Sequence, residues 1–510
     1  MTKNFIVSLF FLVSFFPLLS QDTPTETPKR VIAPAPSGKK LPFEISEKKR
    51  LKKKDLDKKV EGWFPSGLPF VYFDANNGFG YGGRLLLTNN GSKADPFFEY
   101  TPYRHRIFFH YSNTTKNAQW HSIDLDAPYI FDSQFRLRAN FVIDNNPNSL
   151  YFGIGEKAMR GLSYRDRNDP KGRLITNGRF PKQEEAFEYM RPAQRSETIY
   201  VPGNPQLNSL ILSNPAVPSG EYATDKKYNR YHYDNPNVNL SLERSFFKGL
   251  VRAVFGGRLS RYTINTYDDS IHTVPHPVYG GDIFNASAPV VHGKTKLTED
   301  EEAGEISGYD GGFVNLLRFG LVYDTRDFEP DPSRGVFLEV THERSEKAVG
   351  SDFQYNKTFY SGRFFYSPFP KVFEKLVLAG RLAFSSGKGN IPFYEYRNMW
   401  GTEGNISGLG GRTTLRGYMQ DRFVGRAMGF GNMEIRWKFW EIPGFAFNLV
   451  PFFDFGRVWD EAWKANLKDY KYSFGTGLRI AWNQSTIIYI DVASSRENSG
   501  QVYMNFNHIF

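Results

Sequence analysis

The chain has no cysteine among its 510 residues. A disulfide framework, a thiolate metal site and a cysteine nucleophile are therefore excluded. Beyond residue 20 it also lacks an apolar run long enough for a membrane-spanning helix, which needs about 20 consecutive apolar residues. The nine histidines are scattered, with no zinc-ligand spacing and no serine-centred nucleophile elbow. Gly408-Leu409-Gly410 is not followed by a helical pattern, so a phosphate loop is not expected there. Asp166 to Lys171 reads as solvated loop rather than a calcium site. No enzyme activity, metal or cofactor is expected. Two classes remain: a soluble exported β protein, or a transmembrane β-barrel, which escapes hydropathy because only alternate residues face lipid.

What is abundant is Phe (47), Tyr (29) and Gly (46), with 30 prolines between apolar runs. Aromatics favour strands, and Gly and Pro mark turns. The N-terminus reads as three parts. Residues 1–20 form a secretory signal, with Lys3 before the apolar run Phe5–Leu19 and Ser20 at its end. Residues 21–60 form a disordered tether, Pro-rich and then Lys-rich through Lys48-Lys49-Arg50-Leu51-Lys52-Lys53-Lys54. Residues 61–510 form the β structure. The tether supplies much of the formal charge of +10. That charge is therefore no argument for an acidic partner of the folded part, and no nucleic-acid partner is expected.

From Gly67 onward, sixteen segments show period-two character. They are 68–74, 79–88, 104–113, 119–128, 134–144, 228–244, 249–264 and 312–325, followed by 335–345, 353–366, 373–386, 429–440, 446–456, 472–482, 486–495 and 502–510. In 472–482, Tyr472, Phe474, Thr476, Leu478, Ile480 and Trp482 fall on one face and Ser473, Gly475, Gly477, Arg479 and Ala481 on the other. The longest connections, about 145–227, 265–311 and 387–428, are all odd-numbered, whereas most even-numbered ones are short. Long loops at one end and short turns at the other, with an even strand count, predict an all-β, antiparallel transmembrane barrel of about 16 strands. Both chain ends would then lie on the short-turn, periplasmic side. The first strand is expected to be short. Val502, Met504, Phe506 and Phe510 are expected to share one face of the last strand, opposite Asn505 and Asn507.

Several stretches in order carry a family resemblance. They are Gly320-Leu321-Val322-Tyr323-Asp324-Thr325-Arg326-Asp327, Gly410-Gly411 with Leu415-Arg416-Gly417-Tyr418, Asn432-Met433-Glu434-Ile435-Arg436, Phe453-Asp454-Phe455-Gly456, and Gly475-Thr476-Gly477-Leu478-Arg479 with the final Phe510. With these the chain resembles the BamA/TamA-type outer-membrane assembly and translocation barrels, the bacterial surface antigen family. By itself Arg416 reads as a solvent-exposed loop arginine. The resemblance implies instead that the connection 387–428 is a signature loop folded into the lumen. Arg416 would meet Glu434 and Asp454 there, Gly417 would turn the backbone, and Tyr418 would pack on the wall. The alternation agrees, because Glu434 opposes Met433 and Ile435, and Asp454 opposes Phe453 and Phe455.

The implied role is insertion of outer-membrane proteins, or movement of polypeptide or lipid across or into the bacterial outer membrane. The implied partners are outer-membrane lipids, with unfolded outer-membrane clients or a separate periplasmic partner. Family members usually carry folded periplasmic domains, and the tether of about 40 residues is expected to be too short to form one. The rival readings are a passive channel, or a surface antigen or adhesin using the long loops 145–227 and 265–311.

Overall fold

The computed structural model describes residues 40–510 except 46–49, 52–55, 58, 75, 166–173, 177–221, 225–226, 269, 276–286, 293, 328–330, 369–375, 443–444, 483–485 and 507. The signal and the first half of the tether lie outside the described residues, as does much of the loops 145–227 and 265–311.

Sixteen antiparallel strands form one sheet that curls almost into a closed barrel. The first eight are β1 (Trp63–Asp74), β2 (Gly78–Asn89), β3 (His105–Thr114), β4 (Gln119–Ala127), β5 (Phe135–Leu150), β6 (Arg230–Phe246), β7 (Val251–Asn265) and β8 (Leu316–Asp324). They continue as β9 (Gly335–Ser345), β10 (Tyr355–Tyr366), β11 (Leu376–Gly389), β12 (Ala427–Ile442), β13 (Phe445–Trp459), β14 (Lys471–Trp482), β15 (Thr486–Ser494) and β16 (Gln501–Phe506). Each pairs with the next in sequence. The expected segment 312–325 is split: a short piece, Gly311–Phe313, pairs with β7 ahead of β8. Among the described residues the only α-helix is Lys296–Glu302, and no helix is long and apolar enough to cross a membrane.

The period-two pattern decides which side chains face outward. Leu240, Leu242, Phe255, Phe319, Leu321, Leu338, Leu382, Met433, Ile435 and Phe453 are exposed on the outside of the wall. In water this would be an unusually large apolar surface, whereas in lipid it is the matching one. Their sequence neighbours point inward and are polar or charged: Arg252, Arg258, Arg318, Glu339, Glu343, Arg363, Arg381, Glu434, Asp454, Arg479 and Asp491 are all buried.

Three expectations are corrected. The first strand is not short. β1 runs for twelve residues, and the short strand is β16, with six. Phe510 does not share the outer face with Val502. The strand ends at Phe506, and Phe510 packs inside against Phe365, Val377 and Ala379, with the Arg436 Nη2 donating to its carbonyl at 3.0 Å. The terminal aromatic packs on lumen-facing residues of β10 and β11 instead of continuing the ladder along β15. Part of the expected tether is also placed. Phe43 contacts Phe97 and Tyr129, the Leu51 amide donates to the Glu99 carbonyl, and the Lys59 ammonium donates to the carbonyls of Phe98 and Thr101. This strap explains why connection 90–104, on the short-turn side, is long: it is the platform on which the strap lies.

Among the described residues no ladder joins β1 to β16, although the two strands are neighbours around the wall. The barrel therefore has a seam.

Candidate functional site: a loop locked in the lumen

The connection between β11 and β12, residues 390–426, folds back into the barrel. Its apolar residues Ile391, Phe393, Tyr394, Met399, Ile406, Leu409, Leu415, Tyr418, Phe423 and Val424 join lumen-facing wall residues in one core cluster. The loop carries a short hairpin, Met399–Gly401 with Gly404–Ile406, and Leu409 bridges to Phe423. Gly410, Gly411 and Gly417 hold φ of +116°, +83° and +90°, a region that L side chains avoid. At Gly417 a Cβ would also stand 3.1 Å from the Ser494 backbone.

Arg416 lies at the centre and is fully buried. Its Nε and Nη2 each reach Asp454 at 2.8 Å, a bidentate pairing, and its backbone amide donates to the same carboxylate at 3.2 Å. Nη1 donates to Glu434 at 2.9 Å and to Asp491 at 2.9 Å. The guanidinium lies 3.4 Å from the Phe452 ring centroid, on the same inward face as Asp454. Gly417 donates its amide to the Tyr503 hydroxyl at 2.8 Å and accepts from Ser495 at 2.7 Å. The Tyr418 hydroxyl donates to the Tyr472 carbonyl at 3.3 Å.

Asp491 was missed as a partner, although the alternation of β15 already turned it inward. What the sequence does not reveal is the depth of the loop, which decides how many consecutive strands Arg416 can reach. Arg436 and Arg479 complete the group. Arg436 pairs with Glu434 at 2.9 Å, while Arg479 pairs with Asp491 and stands 3.6 Å from Glu434. Three guanidiniums and three carboxylates balance in a site closed to water. That balance makes the burial tolerable, since an unpaired charge there would cost several kcal/mol. Asn432 accepts from Arg381 at 2.9 Å and donates to Asp454 at 2.8 Å, which ties the next strand in.

Further anchors carried no sequence signal. Arg422 makes a two-pronged contact with Glu497 at 3.0 Å and donates to the carbonyls of Ala158 and Arg160. On the opposite wall, Glu395 meets Arg258 at 2.5 Å and Lys357 at 3.5 Å. Glu403, at the hairpin tip, meets Arg326 and, at 2.5 Å, Arg363. Among the described residues no group of three side chains is arranged to hold a metal ion.

An antiparallel barrel with an apolar outer face, a charged inner face and an inserted loop pinned by a buried arginine defines a class of outer-membrane β-barrel. The chain belongs to the Omp85 superfamily, whose domain matches residues 186–498, more than half of its length. A domain of unknown function, DUF5982, matches residues 41–104, which span the strap, β1, β2 and the platform. Solved structures of similar fold include Haemophilus ducreyi BamA lacking POTRA domains 1–3, at 12% identity and a TM-score of 0.46 over 87% of this chain and 69% of that one. CdiB from Escherichia coli gives 11% and 0.48, over 88% of this chain and 63% of that one, so the chain spans less than two thirds of it. CdiB from Acinetobacter baumannii gives 11% and 0.41, over 91% and 72%. No curated protein matches the chain.

Proposed function

We propose that this chain is an outer-membrane assembly barrel that lets client polypeptide enter or cross the membrane at the seam between β1 and β16. The observation that carries this reading is the seam itself, where two neighbouring strands share no ladder among the described residues. Backbone groups at an open sheet edge have no water to turn to within a bilayer. Such an edge is therefore a template for strand addition by a client. No covalent step is needed, and the barrel would act by lowering the cost of desolvating client backbone. A passive channel is disfavoured because the lumen is occupied by the loop and its apolar core. The placement of both chain ends on the periplasmic side, and the roles of Arg416, Gly417 and Tyr418 in holding the loop for this work, are part of the same proposal.

The test is reconstitution in liposomes, timing the folding of an unfolded outer-membrane client beside empty liposomes. Faster folding that falls with Arg416→Ala supports the proposal. Client folding no faster than in empty liposomes, together with steady ion conductance, would replace it with the channel reading.

A further inference from the structure

The connection between β13 and β14 is longer than the join requires. The ladder between the two strands stops at Gly456 and Lys471, which leaves residues 457–470 to span the gap. A two-residue turn can join antiparallel strands. The end of β13 shows where the extra chain goes. Gly456 and Val458 face the lumen: a Cβ at Gly456 would meet Leu409 and Leu415 of the inserted loop, and Val458 belongs to the lumen core. Arg457 and Trp459 therefore point outward, in line with Phe453 and Phe455. Both are nonetheless buried, Trp459 to 1% exposure.

The connection covers them by folding over the outside of the wall. Arg457 Nη1 donates to Asn466 at 3.3 Å, to the Lys468 carbonyl and to Asp469 at 3.4 Å, and Nη2 donates to Glu156 at 3.2 Å. The Tyr470 ring stands 6.0 Å from both Phe455 and Trp459, and Trp459 meets Phe384 of β11 at 6.2 Å on its other side. These contacts fix the height of the loop. Along the outward row of β13, Phe445, Leu449 and Phe453 are exposed, and Arg457 is the first charged residue. From Phe445 to Phe455 is about ten residues, which at ~3.3 Å each and a tilt of about 40° cover ~25 Å, the height of the apolar band of a membrane barrel. The loop thus lies at the edge of that band. There it carries two apolar side chains in the open, Trp463 at 80% exposure and Leu467 at 90%. Singly exposed apolar residues are ordinary. These two stand beside a face that already meets lipid, at the level where a Trp ring finds both hydrocarbon and polar headgroups.

We propose that the connection 460–470 is a lipid anchor: Trp463 and Leu467 enter the membrane interface, and Arg457 is the positioning residue that sets their level. The occupant of this surface is lipid, because the loop lies on the outside of the wall and continues its apolar face. The inserted loop leaves the wall at the same end of the barrel, so with both chain ends periplasmic the leaflet is the outer one. The inference needs the barrel in its membrane and is independent of the client-folding reading.

The chain has no native cysteine, so spin labels can be placed one at a time in the full chain reconstituted in lipid vesicles. The sites are Trp463→Cys and Leu467→Cys, with Phe453→Cys on the outer wall and Ala348→Cys as references. Ala348 is exposed in the connection between β9 and β10, at the same end of the barrel. Collision rates with oxygen, which concentrates in hydrocarbon, and with a water-soluble nickel chelate report the depth of each label. Heat-modifiable gel mobility checks that each variant has folded. The oxygen-to-nickel ratios at positions 463 and 467 should lie above that at Ala348 and below that at Phe453. Adding Arg457→Gln should lower both towards the Ala348 value. A ratio at either site no higher than at Ala348 would overturn the anchor. Shielding from both reagents would overturn it too, since it would mark a covering protein such as a second copy of the chain. Unchanged ratios in folded Arg457→Gln would overturn the positioning role. A label-free check is the emission lost in Trp463→Phe. Brominated lipid should quench that component, and quenching by aqueous iodide alone would count against the anchor.

Discussion

At the residue scale, Arg416 shows how one side chain can join a lumen loop to three strands of the wall at once. Its planar fork satisfies Asp454 with two parallel bonds while the remaining nitrogen serves Glu434 and Asp491. Lysine has the charge but not the fork. Removing one member of a buried ion group typically costs ~3–5 kcal/mol. Arg416→Ala should therefore undock the segment around it, read as lost amide hydrogen-exchange protection over residues 408–424 with the barrel strands unchanged. Arg416→Lys should recover only part of that protection. Glu434→Gln, Asp454→Asn and Asp491→Asn should each weaken docking, and their combinations should cost less than the sum because they share one cation. Full protection in Arg416→Ala would show that the apolar loop residues and the other loop anchors hold it without Arg416.

At the element scale, the strap is set by a different balance. Lys59 is largely buried beneath connection 90–104, its ammonium 4.0 Å from the Phe98 ring centroid. Burial pushes its pKa down to about 8, against the opposing pull of Asp95. A lowered folded-state value means that the docked strap binds fewer protons than the free one between about pH 8 and the ordinary lysine range. Docking therefore strengthens as pH rises through that window and is weakest below it. The neutral amine still has hydrogens for both carbonyls. Chymotryptic cleavage after Phe43 should slow between pH 7.5 and 9.5 relative to a control site, and Lys59→Met should abolish the pH dependence. The strap was read from sequence as tether because its lysine-rich composition promises no core. It docks because the platform that receives it is supplied by residues 90–104, beyond the next hairpin, and composition within a window cannot register a distant partner.

At the scale of the whole molecule, the outer face has to match its solvent. Leu321 points outward from β8, while its neighbour Val322 points into the lumen. Leu321→Arg should destabilise the barrel by ~2–4 kcal/mol if it sits near the bilayer midplane and by less towards an interface. The measurement is a denaturant titration in lipid vesicles. A loss no larger than that from a charge placed at an extramembrane turn would argue that this face does not meet hydrocarbon. Sixteen strands, their order and the facing of Glu434 and Asp454 were legible in the chain, because strand alternation is a local property with a period of two residues. The ends of β1 and β16 were not. Where a strand stops depends on what its residues meet elsewhere in the fold, and beyond β16 the terminal Phe510 meets Phe365, Val377 and Ala379. The third carboxylate at Arg416, the Arg422–Glu497 contact and the contacts of Glu403 with Arg326 and Arg363 were equally out of reach. Each joins residues brought together only when a loop of given length enters a lumen of given width. The sequence by itself determined which residues face lipid and which face inward. Only the tertiary structure decided which inward charges meet, because that depends on the closing of the wall and the depth of the loop, and neither is written within any one strand.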